Sequence, residues 1–450
     1  MSCRWSAASL PLAILLTSTT ALPQRPPTAP PGAAPPAATP ATAPPKVAAI
    51  RFTFDGYLHR VAQGNIELAA QRAGVSVSEA QIALARVFPD PQITAGLLQY
   101  DLANHGNPTA TIVQLNVPLQ IGGQRGARIE YAEASLSAAQ AELEDFLRTL
   151  RANAAFAYVE ALHRRLILDR KRQSLASLDQ LVAVNEQRFR SGEIGEVVVI
   201  QTRVEAQQFR AGVLDAEGEV RAADLALVQF LGRDAALSMG TAIDLEGDLR
   251  TAANKKFDVD ALLTRARASR PDLVAARRRL VASGKQIDLV HANRIVDIGV
   301  GAAWQHSFPV SGSVPLPSAD YVGATVTVPI PFSRMYRGDL DAAYSSQRQA
   351  DAQTNAVGLR VEVEVRQAIA RHDAAAARVK LYTSGVLSDA DQVLEKILYN
   401  YNRGGATLVE VLVAQRTQND VYNSYYDALS DLARALVTLQ QASAGWDVKL

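Results

Sequence analysis

Cysteine is all but missing from this chain: Cys3 is the one copy among 450 residues. That scarcity excludes a disulfide framework and any multi-cysteine zinc or iron–sulfur site. Histidine (6) and methionine (3) are also scarce, and His59, His105, His163, His291, His306 and His372 show no metal-ligand spacing. No metal and no cofactor is expected. Excess charge of either sign is absent, because 46 Lys and Arg against 45 Asp and Glu leave a formal charge of +1. A chain so balanced has no footprint for nucleic-acid phosphates. Apolar residues make up 48% of the chain, yet beyond the N-terminus no run reaches the roughly 18 uninterrupted apolar residues of a spanning helix. A phosphate-binding glycine loop is missing too. Gly122-Gly123-Gln124-Arg125-Gly126 follows a strand and opens a helix, but it lacks the βαβ context of a dinucleotide site and reads as a strand-to-helix joint. Catalytic residues are not expected, and the chain is not read as an enzyme.

What is present begins with a short apolar run, Ala7 to Leu16, behind Arg4 and ahead of the small residues Thr19 and Ala21. This pattern reads as a signal peptide over residues 1–21. Cys3 precedes the run, so lipidation at that cysteine is not supported. Residues 22–50 are dominated by Pro, Ala and Thr, a composition that buries no core and reads as a disordered spacer.

The remainder is duplicated. Asn185-Glu-Gln-Arg-Phe-Arg-Ser-Gly192 matches Ile397-Leu-Tyr-Asn-Tyr-Asn-Arg-Gly404, and Val117-Pro118-Leu119 ahead of Gly126 matches Val328-Pro329-Ile330 ahead of Gly338. Both landmarks recur in order at a shift of about 212 residues, giving repeats over 56–232 and 258–445 with a polar linker at 233–257. Each repeat opens with a helical stretch, Gly56 to Arg86 and Asp258 to Lys285. Period-two segments follow at about 92–121 and 295–332. Val113, Leu115, Val117 and Leu119 alternate with polar or small residues, as do Ile298, Val300, Ala302 and Trp304, and then Val322, Ala324 and Val326. Two strands per repeat are expected, with loops at Ala103 to Pro108 and Ser307 to Ala319. Very long helices come next, over 123–190 and 337–403, each turning into a second helix over 197–231 and 408–444. At about 1.5 Å per residue the first would reach on the order of 100 Å. Ile129, Leu136, Ala139, Leu143, Phe146 and Leu150 step along it with coiled-coil spacing, and Leu175, Leu178 and Val182 resume it. Val361, Val363 and Val365 alternate as a strand would, but their counterpart lies mid-helix, so helix is expected there.

Four amphipathic strands are too few to close a barrel, and in a bilayer the open edges would go unsatisfied. If the strands span a membrane, the chain must oligomerise. Their length suits a spanning strand, and Tyr100, Trp304 and Tyr321 stand near strand ends, where interfacial aromatics belong. The competing class is a periplasmic coiled-coil scaffold or adaptor, or a soluble β-sandwich on coiled coils, which never enters a membrane.

The joints Val117-Pro118-Leu119-Gln120-Ile121-Gly122-Gly123-Gln124-Arg125 and Val328-Pro329-Ile330-Pro331-Phe332 through Gly338 resemble those of the TolC-type outer-membrane factors. So do Tyr401-Asn402-Arg403-Gly404 with Val411-Leu412-Val413-Ala414-Gln415, and more loosely Phe189-Arg190-Ser191-Gly192 with Val199-Ile200-Gln201. The resemblance covers nearly all of the chain after the spacer. It implies a mainly α fold with a membrane β-barrel, a trimeric α/β-barrel tube in which each of three copies supplies four strands to one barrel in the outer membrane of a Gram-negative bacterium, with helices extending into the periplasm. It further implies a passive exit duct of a tripartite efflux pump, RND-type foremost, with a periplasmic adaptor (membrane fusion protein), an inner-membrane pump and outer-membrane lipid as partners. The type I protein-secretion branch is the alternative within the family. On this resemblance the adaptor-docking tips are Gly192, Glu193, Ile194 and Gly195, and Gly404, Gly405, Ala406, Thr407 and Leu408. Glu410 is carried over as the pore-constriction candidate, while Val413 and Val198 stand where further acids would. The Val328 to Phe332 run resembles the branch that serves metal-cation pumps; drugs, metals and polypeptides all remain open as substrates.

Overall fold

In the computed structural model the described residues are 50–98, 110–232, 243–250, 257–309, 317–330, 332 and 337–448, all in one compact unit, Val47–Leu450. The N-terminal apolar segment, the Pro/Ala-rich spacer up to residue 49, Tyr100, the 103–108 loop and most of the linker lie outside them. The first half contains β1 (Ile50–Phe52), α1 (Phe54–Gly64), α2 (Ile66–Ala85), β2 (Gln92–Leu98), β3 (Ala110–Leu119), α3 (Gln124–Arg190) and α4 (Glu196–Leu231). The second contains β4 (Ile243–Leu245), α5 (Val259–Ser269), α6 (Pro271–Asn293), β5 (Ile298–Ser307), β6 (Ala319–Thr327), α7 (Gly338–Leu381), a π-helical turn (Tyr382–Val386), α8 (Leu387–Asn402) and α9 (Leu408–Ala442).

Three expected helices are broken. Asn65 ends the first stretch by capping α2, its Oδ1 accepting the Leu68 N–H at 2.9 Å. Arg270 ends the other because it precedes Pro271, which favours extended backbone before it and opens α6. The long helix expected over 337–403 is interrupted by the π turn at Tyr382–Val386, whereas α3 runs unbroken for 67 residues. Within α7, Val361 and Val365 are buried and Val363 is exposed, so the apparent alternation is one i, i+4 pair on a helix face.

The hairpins of the two halves join in one antiparallel sheet, order β2-β3-β5-β6, with β2 and β6 as its edges. Register places Ala95, Val113, Trp304 and Val322 in one row across it, and Val117, Val300 and Val326 in another. These rows share a face, and the alternate face carries Thr94, Gln114, Asn116 and Thr325. Gln114 donates to the Thr325 hydroxyl at 3.2 Å across β5. A Cβ at Gly301 would stand 2.9 Å from that hydroxyl and 2.2 Å from the Leu115 carbonyl oxygen, which explains the glycine. Tyr321 pairs with Gln305 and therefore sits on the opposite face from Trp304, so the two do not form one aromatic girdle. β6 stops at Thr327, short of the expected 332, where Pro329 has no N–H for a ladder.

Below the sheet, α3 packs along α4, α6 and α9, and α7 along α6 and α9. The widest core lies where β1 and β4 pair in parallel and the buried Tyr158 hydroxyl reaches the carbonyls of Phe52 (2.9 Å) and Glu246 (2.5 Å). No helix among the described residues is long and apolar enough to cross a membrane.

Candidate functional site at the helical tips

The ends of the α3/α4 and α8/α9 hairpins are built alike. At Gly192 φ is 79° and at Gly404 it is 77°, the left-handed conformation that glycine adopts without a Cβ penalty. Past each glycine a 6→1 bond closes the helix: the Glu193 N–H donates to the Arg188 carbonyl and the Gly405 N–H to the Asn400 carbonyl, both at 2.9 Å. Glu193, Gly195, Gly405 and Thr407 are exposed, Ile194 and Ala406 half-buried, and Leu408 buried.

The following helices start differently. Thr407 and Glu410 form a capping box: the Thr407 hydroxyl accepts the Glu410 N–H at 3.3 Å, and Glu410 Oε2 accepts from the Thr407 N–H at 2.6 Å and hydroxyl at 2.9 Å. Those two bonds hold the Glu410 carboxyl below its ordinary value of 4.5. In the first copy Gly195 is the N-cap and offers no side chain, and Val198 occupies the position of Glu410.

Between the hairpins, a polar relay lies in the seam. The Tyr401 hydroxyl donates to Asn185 Oδ1 at 2.8 Å, Asn185 Nδ2 donates to the Thr202 hydroxyl at 2.9 Å, and Thr202 donates to the Val198 carbonyl at 2.7 Å. Asn185 and Thr202 are fully buried, and Leu181, Leu408 and Val411 pack around Tyr401. Arg188 closes the outer side, with its guanidinium 5.3 Å from the Tyr401 ring centroid and paired to Glu193 at 3.2 Å. This relay escaped the sequence reading because the apolar spacing places Leu175 and Val182 in the seam, whereas the buried row is Ser174, Leu178, Leu181 and Asn185. The available signal was the repeat itself: Asn185 and Thr202 stand where the second copy has Ile397 and Ala414.

The tips thus tie two hairpins rigidly together while leaving Val197, Ile200, Val204, Val409 and Val413 exposed. Among the described residues no cluster of His, Cys, Asp or Glu could hold a metal ion.

A family model described as outer membrane efflux protein matches the chain twice, over residues 57–233 and 262–445. The cobalt-zinc-cadmium resistance protein CzcC of Cupriavidus metallidurans is 24% identical over 405 residues, covering 88% of this chain and 91% of the relative. The outer membrane efflux protein BepC of Brucella suis is 24% identical over 411 residues, covering 88% and 86%. Among solved structures, CusC superposes with a TM-score of 0.70 at 18% identity, covering 87% of this chain and 92% of that one. The outer membrane protein VceC of Vibrio cholerae superposes at 0.67 with 20% identity, covering 87% and 96%.

Proposed function

The chain belongs to the outer membrane efflux protein family, a family of outer-membrane channels, and from that premise we propose that three copies close one twelve-stranded barrel above a periplasmic helical tube. The sheet carries this reading: it has two open edges, one face of Val, Leu and Trp and one of Thr, Gln, Asn and Gly. In hydrocarbon the open edges of β2 and β6 would each leave backbone groups unpaired at several kcal/mol apiece, and neighbouring copies remove that cost by pairing edge to edge. Transport would be passive, with a periplasmic adaptor docking at the exposed tips and an inner-membrane pump supplying the energy. Two of the curated relatives are named for resistance to metals, cobalt-zinc-cadmium and nickel and cobalt, which favours metal cations as cargo.

The test is a pair of substitutions on β6. Val326→Asp, on the apolar face directly opposite Val300 and near the end of β6, is expected to cost less than the roughly 2–4 kcal/mol of a midplane Lys or Arg but enough to deplete the heat-resistant oligomer of detergent-extracted outer membranes. Thr325→Asp, one residue away on the polar face, should leave that band intact. Equal yields from the two variants would reject the membrane-spanning sheet.

Glu410 is proposed to line the constriction as well as to cap α9. Glu410→Ala should change cation selectivity and divalent block of the reconstituted channel with oligomer yield unchanged. Because the folded carboxyl titrates below 4.5, its capping contribution is complete at neutral pH and fades only as pH falls through 4.5 and then through the depressed folded value. Selectivity identical to the parent's in planar bilayers would leave Glu410 a cap and nothing more.

A further inference from the structure

The strand-to-helix joints expose a surface that conduction does not use. At the end of α2, Leu84, Val87 and Phe88 are exposed, and beyond the sheet so is Ile121, two residues on from Leu119 in the apolar face. An exposed apolar patch of this kind, tied to the end of β3 by Arg128, which donates to the Val87 carbonyl and to Gln120 Oε1, marks an interaction surface rather than a wetted one.

Arginines are built into it. The Arg125 guanidinium stands 4.6 Å from the Phe88 ring centroid, and its Nε donates to the Arg86 carbonyl at 2.8 Å. Arg128 donates to the Val87 carbonyl at 3.2 Å. These bonds pin the Arg86–Phe88 turn on the start of α3. Among the described residues they leave the two Nη groups of Arg125 and the whole Arg86 guanidinium without a hydrogen-bond acceptor or an acid. Free guanidinium donors beside exposed apolar side chains match a phosphodiester above acyl chains, which a guanidinium grips with two parallel bonds.

We propose that this joint is an interfacial foot in the periplasmic leaflet of the outer membrane. Leu84, Val87 and Phe88 enter the acyl boundary, and Arg86 and Arg125 hold the phosphates of anionic phospholipid. The proposal rests on the reading that the sheet spans the bilayer, so its test separates the two.

In full-length protein carrying Cys3→Ser, a nitroxide is attached at Phe88→Cys or at Val322→Cys, and the protein is reconstituted in vesicles of phosphatidylglycerol and phosphatidylcholine. Both labels should be relaxed by oxygen in preference to a water-soluble nickel chelate, with site 88 the shallower. Arg86→Gln combined with Arg125→Gln should lower the preference of the lipid annulus for phosphatidylglycerol over phosphatidylcholine by roughly tenfold, and the double lysine variant should retain most of it. If site 322 lies in lipid while site 88 is reached by nickel, or by neither reagent because a neighbouring copy covers it, the foot is wrong and the spanning sheet stands. An unchanged phosphatidylglycerol preference in the glutamine variant overturns the headgroup contact. If site 322 is itself outside lipid, the spanning reading falls first.

Discussion

Arg270→Ala is expected to destabilise the folded chain by about 3–5 kcal/mol, the cost of leaving a buried acid without its partner. The Arg270 side chain is 2% exposed and sits where the end of α9 meets the start of α6. It donates to both oxygens of Asp272, at 2.9 and 3.0 Å, to the Ala442 carbonyl at 3.3 Å and to Glu364. Burial disfavours its charge, but the hydrogen bonds and charges of Asp272 and Glu364 more than offset this and raise the guanidinium above its ordinary value. With arginine removed, Asp272 at 9% exposure keeps the Leu273 N–H at 2.9 Å but only distant cations, Arg360 at 3.8 Å and Arg148 at 3.9 Å. Glu364 is 41% exposed and can return to water. Most of the loss should therefore come from Asp272, and adding Asp272→Asn to Arg270→Ala should recover a large part of it. Denaturant midpoints of the purified variants decide this. A single variant within about 0.5 kcal/mol of the parent would show the joint to be solvated.

The matching joint of the first half uses neutral chemistry. Asn65 donates through Nδ2 to the Phe230 carbonyl at the end of α4 (3.1 Å), while its Oδ1 caps α2. Neither joint could be read from periodicity, since apolar spacing runs through both, although Pro271 was a visible break. The π turn at Tyr382–Val386 does not disturb the apolar spacing either, although Thr383, Ser384 and Gly385 are weaker helix formers than the Ala- and Arg-rich stretch before them, and Gly385 leaves helical φ/ψ. Hairpins, long helices and tip glycines were legible because each depends on local rules: period two, heptad spacing and positive φ at a helix end. The relay at Asn185 depends instead on a tertiary seam one residue out of step with the apolar pattern. The separation of Tyr321 from Trp304 follows from alternation, as Val322 and Val326 fix the parity of β6, whereas nearness to a strand end does not distinguish the two faces.

Gly404→Trp and Gly192→Trp are expected to abolish export while leaving a folded oligomer in the outer membrane. At both sites an added Cβ meets no atom within 4 Å, so the folding cost reduces to placing a non-glycine residue in the left-handed region, roughly 1–2 kcal/mol. The relay of Tyr401, Asn185 and Thr202 lies inside the seam and is not touched by bulk at the turn. An indole at the turn meets open space instead, at the end of the helices that expose Val409 and Val413, or Val197 and Ile200, the surface proposed to receive the adaptor. A resistance assay read beside oligomer yield separates docking from folding: loss of both together would make the turns structural. Contact itself can be probed in living cells, because Cys3, the one native cysteine, lies in the segment read as a signal peptide, whose removal leaves no native cysteine to compete. A cysteine at Glu193 or Ala406 should cross-link to the periplasmic adaptor, and one at Ser318, between β5 and β6, should not. Cross-linking from Ser318 alone would place the β5–β6 loop at the periplasmic end and turn the molecule over in the membrane.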